Sequence, residues 1–449
     1  MTRTCALVAL LWTTLPSVAS ANGAFPDSQQ ILLPADQPHE ILLATNFGLV
    51  MSEDDGATWR YVCEEAVAPL AFLYPVGPAP ADRLFALSQI GLVSSTDAAC
   101  TWTVSQTPYV AANASDAFPD PTDPMHVLAI APMPTDAGIT TALWESKNGG
   151  MAFDAAPLFV SPQGAQLTGV EIARSAPQNL YLTMFGPLGL QHPYVLHSSN
   201  GGGAFQTFDE IAATSAPFYL AAVDPADPLK AYLRITTSPG ESLGITDDGG
   251  MTLRIPLVFT GAAAMTCFLR RPDGTLLVGA NDGRAYRSKD GGLTFPAWPN
   301  VPHLRALAER GGILYAAGSN VQDGFALASS VDEGASWQPL LRFSQIEGPT
   351  ACVATICAQP FAVLKDTPGF ADPLPDAGVP VDASMTPPQP KPTSGCGCTV
   401  GSQATDPNAT VLLLLIVGLA ILLSRTSVAH DRHACSASSS FTPAARRVV

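Results

Sequence analysis

One eight-residue pattern recurs seven times along this chain and constrains its fold more than any other feature. The pattern is Ser/Thr-x-Asp/Asn-x-Gly-x-Thr/Ala/Ser-aromatic. It reads SEDDGATW from Ser52, STDAACTW from Ser95, SKNGGMAF from Ser146 and SSNGGGAF from Ser198. It returns as TDDGGMTL from Thr246, SKDGGLTF from Ser288 and SVDEGASW from Ser330. Successive copies start 43, 51, 52, 48, 42 and 42 residues apart. A repeat of this length built from short apolar runs belongs to radial or solenoid arrays, because one repeat cannot bury its own apolar face.

Each octet reads as a hairpin. Its third residue is Asp54, Asp97, Asn148, Asn200, Asp248, Asp290 or Asp332. These short side chains are expected to accept from backbone N–H groups two or three residues on and so close a turn. The fifth residue is Gly six times and Ala99 once, as suits a position of positive φ. The eighth is Trp, Phe or Leu, which is expected to tuck between neighbouring strands. Ahead of each octet lies a Pro/Asp/Gly turn followed by a β-rich run, for example DPADPLKAYLRI from Asp224 and RPDGTLLVGA from Arg271. Each unit therefore reads as strand A, turn, strand B, loop, strand C, octet and strand D. For the sixth unit the strands are expected at 265–270, 275–280, 284–288 and 295–298. Seven units of four strands predict an all-β chain forming a single seven-bladed β-propeller over residues 22–362.

The octets resemble the Asp-box, or BNR repeat, of sialidases, sortilin-type receptors, xyloglucanases and photosystem-assembly propellers. The resemblance implies that the octet Asp and Asn residues are structural and sit on the rim away from the ligand face.

Both ends of the chain read as addresses. Residues 1–21 carry Arg3, an apolar stretch and the small-residue site Ala19-Ser20-Ala21, the pattern of a secretory signal peptide. Residues 363–395 are rich in Pro, Asp, Ala and Thr, a composition that tends to polyproline II and reads as a disordered spacer. Residues 396–427 hold Cys396, Cys398 and an apolar run that with its flanks is long enough for a transmembrane helix. Residues 428–449 form a disordered tail. Gly395, Cys396, Cys398, the apolar run and Arg425 together resemble the MYXO-CTERM sorting signal of myxobacterial surface proteins. That resemblance implies a sorting protease acting at the Gly-Cys motif and attachment to the membrane at the cell surface. The chain departs from the family in having one Arg after the helix and a longer tail; a plain C-terminal transmembrane anchor is the alternative. Either way the propeller is expected outside the cytoplasm. A net charge of −16 argues against nucleic acid as a partner.

Five cysteines remain for the folded part, which suits an oxidising compartment. Cys63 follows the first octet and Cys100 lies inside the second, so Cys63–Cys100 is expected as a bridge between blades. Cys352 and Cys357 are expected to close a short loop, which leaves Cys267 as a small buried apolar residue. No metal-ligand spacing and no cofactor motif occurs, and neither is expected.

The Asp-box resemblance also invites a glycosidase reading, with a sialidase-like Arg clamp or a xyloglucanase-like carboxylate pair. Arg254-Ile255-Pro256 copies a sialidase motif but falls on an outer strand. Arg174, Arg234, Arg270 and Arg305 are the Arg residues available to inner strands, and a carboxylate clamp needs several of them to converge. Glu171 and Asp282 are the weak candidates for facing carboxylates. The leading expectation is a non-enzymatic surface module that binds an extracellular protein, peptide or glycan through its B–C loops. The candidate ligand residues there are Asn46, Phe47, Gln89, Asn281, Asp282 and Asn320.

Overall fold

The computed structural model describes residues 26–370 apart from 80–82, 109–113, 137, 187–191, 210–215 and 237–239. Seven sheets, each built from antiparallel neighbours in sequence, follow one another along the chain. Blade 4 is representative, with strands Gln166–Ile172, Leu180–Phe185, Pro193–Ser198 and Gln206–Asp209 paired in sequence order from the centre outwards. Blade 6 holds Met265–Arg270, Leu276–Ala280 and Ala285–Ser288, and a bridge from Tyr286 to Ala297 marks its outer edge. The first three strands agree with expectation to within one residue, whereas the fourth, expected at 295–298, is reduced to that single bridge. In blade 2 the inner strand is reduced to two bridges, Leu73 to Leu87 and Val76 to Leu84. The fold is thus an all-β, seven-bladed propeller.

The octets close the C–D hairpins as a compact hydrogen-bonded knot. In blade 1 the Ser52 hydroxyl donates to Asp54 Oδ1 at 2.8 Å and accepts from the Gly56 N–H at 2.8 Å. Asp54 then accepts from the Thr58 N–H at 2.9 Å and from the Thr58 hydroxyl at 2.7 Å. The third residue therefore reaches mainly four residues on, not two or three. The reason lies in positions four and five, which both take positive φ, as at Asp55 (58°) and Gly56 (90°), and curl the chain back over the side chain. Ala99 adopts the same conformation, with φ 63°. The N–H bond from Thr58, then its hydroxyl, hold the Asp54 carboxyl down at about 2.

Position five also faces a neighbour. A Cβ on Gly250 of blade 5 would lie 2.7 Å from Val195 of blade 4, and one on Gly334 of blade 7 would overlap the Trp298 ring of blade 6. These octets thus dock on the preceding blade, and at Gly250 and Gly334 Gly serves both conformation and space.

The ring closes head to tail. The Trp59 indole N–H of blade 1 donates to the Leu340 carbonyl of blade 7 at 3.1 Å, and the Ser28 hydroxyl donates to the Ala326 carbonyl at 3.1 Å. Beyond blade 7 the chain returns to blade 1: Gly348–Pro349 pairs in parallel with Arg60–Cys63. Helix α1 (Glu64–Val67) follows that outer strand, and helix α2 (Ala354–Lys365) packs beside both. Phe361, Leu364 and Phe370 are buried in the core of blade 1, so the packed chain runs past the boundary expected at 362.

The cysteine pairing differs from expectation. The bridges are Cys63–Cys357, with Cα atoms 5.4 Å apart, and Cys100–Cys352, at 5.6 Å. Cys63–Cys100 and Cys352–Cys357 do not form, because the C-terminal segment lies along the outer edge of blade 1 and offers one cysteine to each partner. Cys267 is the free cysteine among the described residues, and burial pushes its thiol up to about 12. Residues 1–21, most of the spacer, Gly395, Cys396, Cys398 and the apolar run lie outside the described residues. Among the described residues no helix is long and apolar enough to cross a membrane.

Candidate functional site

The inner strand of each blade has an unpaired edge facing the central channel, a row of backbone groups that must find partners. Polar side chains of the preceding blade supply many of them, all but Glu241 from its inner strand. Gln30 of blade 1 exchanges two bonds with the Tyr74 backbone of blade 2, at 3.1 and 3.2 Å. Asp116 of blade 3 accepts from the Val170 N–H of blade 4 at 2.9 Å. Glu171 of blade 4 accepts from the Val223 N–H of blade 5 at 2.6 Å. Glu241 of blade 5 accepts from the Met265 N–H of blade 6 at 2.7 Å. Thr168 and Thr266 donate to the Phe218 and Leu304 carbonyls at 2.6 and 2.7 Å. Both Thr residues sit at β-bulges near the start of their strands, which turn the hydroxyl towards the next blade.

The channel holds two adjoining cavities that share Gln30, Leu73, Leu220 and Ala221. One, of about 230 Å³, is lined by early residues of the inner strands, beside the B–C turns: Phe72, Tyr219, Phe268 and Arg305 among them. The other, of about 560 Å³, lies among later residues, towards the octet side, and is lined by Asp116, Glu171 and Arg174. Burial pushes Glu171 up to about 8, and the Asp116 charge adds to the rise. Burial likewise lifts Asp116 to about 6, against the pull of the Val170 and Ala117 N–H groups.

The Arg residues do not converge. Arg234 grips Glu241 with both prongs, at 2.8 and 2.6 Å, Arg305 binds Asp27 at 2.9 Å and Arg270 binds Asp224 at 3.0 Å. Arg174 is exposed and pairs with no side chain among the described residues. Arg254 ties its outer strand to Asp247 at 3.0 Å and to the next blade's Gly291 carbonyl at 3.1 Å, a structural use of the Arg-Ile-Pro run.

None of the six B–C loop candidates lines either cavity. Asn46 and Asn281 tie their B–C turns to the start of the inner strand, accepting from the Asp27 and Ala264 N–H groups at 2.9 Å each. Phe47 packs on Phe343 with ring centroids 5.1 Å apart, and Asn320 donates to the Gly369 carbonyl at 2.8 Å, so both hold the C-terminal segment. Asp282 binds the Arg284 guanidinium at 2.6 Å, and that pairing outweighs its partial burial and lowers its carboxyl. Gln89 is exposed. Glu171 and Asp282 are not brought together: Glu171 lines the octet-side cavity, and Asp282 sits in a B–C turn. Asp116, which does share the cavity with Glu171, was not singled out from the sequence. A carboxylate in the otherwise apolar run AFP was the available signal.

No protein-family model matches the chain, and no curated protein matches its sequence. Solved structures resemble its fold at low sequence identity. YCF48 from Cyanidioschyzon merolae is 16% identical over 65% of this chain and 92% of that one, with a TM-score of 0.47. The GH74 xyloglucanase from Xanthomonas campestris is 15% identical over 70% of this chain and 58% of that one, with a TM-score of 0.38. A puromycin-hydrolysing peptidase from Mycobacterium tuberculosis is 13% identical over 73% and 55%, with a TM-score of 0.49. The chain spans little more than half the length of the two enzymes. These likenesses are to the fold and carry no argument about activity.

Proposed function

We propose that the chain is an exported Asp-box propeller that acts as a non-enzymatic binding or adhesion module for a protein, peptide or glycan. One observation carries the reading: most charged groups of the channel wall are already paired, Asp116, Glu171 and Arg305 with a neighbouring blade and Arg234 with Glu241 of its own, while Phe72, Tyr219 and Phe268 present aromatic surface at the B–C end. Aromatic anchors at a concave mouth suit recognition. The spacer after the ring, the Gly395-Cys396-Gly397-Cys398 motif and the apolar run make it a surface-anchored module, attached to the membrane and processed by a sorting protease. Mass spectrometry of the envelope-bound chain reads whether it ends at that motif.

A glycoside hydrolase of sialidase-like or xyloglucanase-like type is the second reading. The pair Glu171 and Asp116 favours it, because two carboxylates of raised and unequal pKa share one cavity. A glycan array and a fluorogenic glycoside panel on the full chain separate the two. Binding without turnover supports the module. Hydrolysis abolished by Glu171→Gln, Asp116→Asn or Asp282→Asn makes the chain an enzyme.

A further inference from the structure

The octet end of the ring carries apolar side chains that its folding does not require. The octets share that end with the A–B turns, and in four blades the fourth octet residue donates its N–H to the carbonyl of a turn residue. The acceptors are His39, Met125, Gln178 and Leu229 in blades 1, 3, 4 and 5, at 3.0, 2.7, 2.8 and 2.8 Å. Any residue type can offer that carbonyl. The sixth octet residue of the same blades is Ala57, Met151, Gly203 or Met251. The two positions change together: His39 goes with Ala57 and Gln178 with Gly203, but Met125 goes with Met151 and Leu229 with Met251. Blades 3 and 5 also share the turn sequence Asp-Pro-x-Asp-Pro, at residues 120–124 and 224–228. Blades 1 and 4 close the same turn with a polar apex and a small sixth residue, so the apolar pairs of blades 3 and 5 serve something other than closure.

These side chains face solvent. Met125, Met151, Leu229 and Met251 are 46%, 56%, 44% and 59% exposed. Leu229 lies over its own octet, with Cδ2 3.5 Å from where a Cβ on Gly249 would stand. Lys230 donates to the Gly291 carbonyl of blade 6 at 3.2 Å, which holds that octet, with Leu293 69% exposed, alongside. Leu229, Met251 and Leu293 thus form one patch, and Met125 and Met151 a smaller one. The surrounding charge selects what can cover them. The seven octets contain nine carboxylates and two lysines. Both lysines are taken, Lys147 by Glu145 and Asp154 at 2.6 and 3.0 Å and Lys289 by Glu333 at 3.0 Å. Asp123 and Asp227 stand exposed in the turns beside Met125 and Leu229. A second copy of this chain, of net charge −16, is repelled by such a face, as is an anionic membrane. A basic segment with an apolar side satisfies both features, and methionines adapt to the shape they meet.

We propose that the octet face is a second interaction surface, at the end of the ring opposite the B–C mouth, which takes a basic amphipathic segment of another polypeptide. The patch of Leu229, Met251 and Leu293 anchors its apolar side, and the turn and octet carboxylates face its Lys and Arg side chains. The proposal is independent of what the mouth binds.

Measurements on the full chain test this, with a synthetic Leu/Lys peptide whose leucines fall on one helical face as the probe. Fluorescence anisotropy compares it with a shuffled peptide of the same composition. The patterned peptide should bind about tenfold more tightly; equal affinity would reduce the attraction to bulk charge and overturn the proposal. The chain carrying Leu229→Ser, Met251→Ser and Leu293→Ser together should lose that preference at an unchanged urea midpoint, since all three side chains are exposed. A preference that survives the three substitutions overturns it. The unmodified chain gives a separate reading, because dilute peroxide converts exposed methionines to sulfoxides that mass spectrometry counts. The patterned peptide should slow oxidation of Met151 and Met251 and spare the rate at Met133, near the B–C end of the strand Val127–Thr135. Protection of Met133 instead, or of no methionine, places the peptide elsewhere and overturns the proposal.

Discussion

Replacing Glu171 with Gln asks whether the channel carboxylates are stitches or catalysts, and each role leaves a different mark. In the folded protein burial lifts this carboxyl from its ordinary 4.5 to about 8, with Asp116 adding to the rise and the Val223 N–H opposing it. A group whose pKa is raised on folding gives stability that is complete below the unfolded value and lost as pH climbs to the folded one. The window is therefore about pH 4.5 to 8. At 1.36 kcal/mol per pH unit the whole interval corresponds to about 5 kcal/mol. Glu171 is half-buried and lines an open cavity, so about half of that, 2–3 kcal/mol, is the expected loss. Gln keeps an oxygen for the Val223 N–H and cannot ionise. Urea unfolding at pH 5, 6, 7 and 8 should show the unmodified chain losing stability faster than Glu171→Gln, most clearly between pH 6 and 8, where Asp116 has already titrated. Any other titrating group contributes equally to both, so the difference between the curves is the quantity to read. Parallel curves would refute the burial argument. A catalytic Glu171 would instead show as lost turnover in the glycoside panel.

The octet geometry predicts that Gly334→Ala, with φ 79° and Trp298 in the way, destabilises by about 3 kcal/mol or more, whereas Gly201→Ala, with φ 69° and open space, costs about 1 kcal/mol; equal costs in chemical denaturation would remove the docking role given to position five. Non-reducing peptide mapping should recover Cys63 joined to Cys357 and Cys100 joined to Cys352. Because the first bridge spans 294 residues, Cys357→Ala should lower stability by up to about 5 kcal/mol and make further reduction of that bridge irrelevant; recovery of Cys352 joined to Cys357 would contradict the clasp. His126 lies 3.0 Å from Asp120 and 3.1 Å from Glu145, and although burial disfavours its charge these carboxylates raise its pKa above 6.5. Its contribution is thus complete below pH 6.5 and lost as pH rises through the raised value, so His126→Gln should flatten that part of the stability profile; an unchanged profile would show the pairing to be inert.

What the sequence made legible was local. An octet is closed by bonds between residues two to four apart, and strands A to C of blade 6 are bounded by their own turns, so both could be read from short windows. The bridge partners could not. Cys63 meets Cys357 only because seven blades close a ring and the chain then doubles back along blade 1. The same return explains why Phe47 and Asn320, which look like free loop residues, are covered by the segment ending at Phe370. Inner-strand chemistry was hidden for another reason: nothing near Asp116 or Glu171 in the sequence sets them apart until the next blade's N–H is placed against each.

The repeats nevertheless carry one long-range lesson within themselves. Where position seven is Thr or Ser, at Thr58, Thr101, Thr252, Thr294 and Ser336, its hydroxyl donates to the second oxygen of an Asp at position three. Where position seven is Ala, at Ala152 and Ala204, position three is Asn148 or Asn200, and its single oxygen accepts the backbone N–H at 2.8 and 2.9 Å. A carboxylate is kept where a second donor exists to satisfy it, and an amide stands where none does. Seven copies of one motif thus serve as an internal alignment. The choice between Asp and Asn in each follows from hydrogen bonding inside the turn, with no ligand on the octet rim needed to explain it.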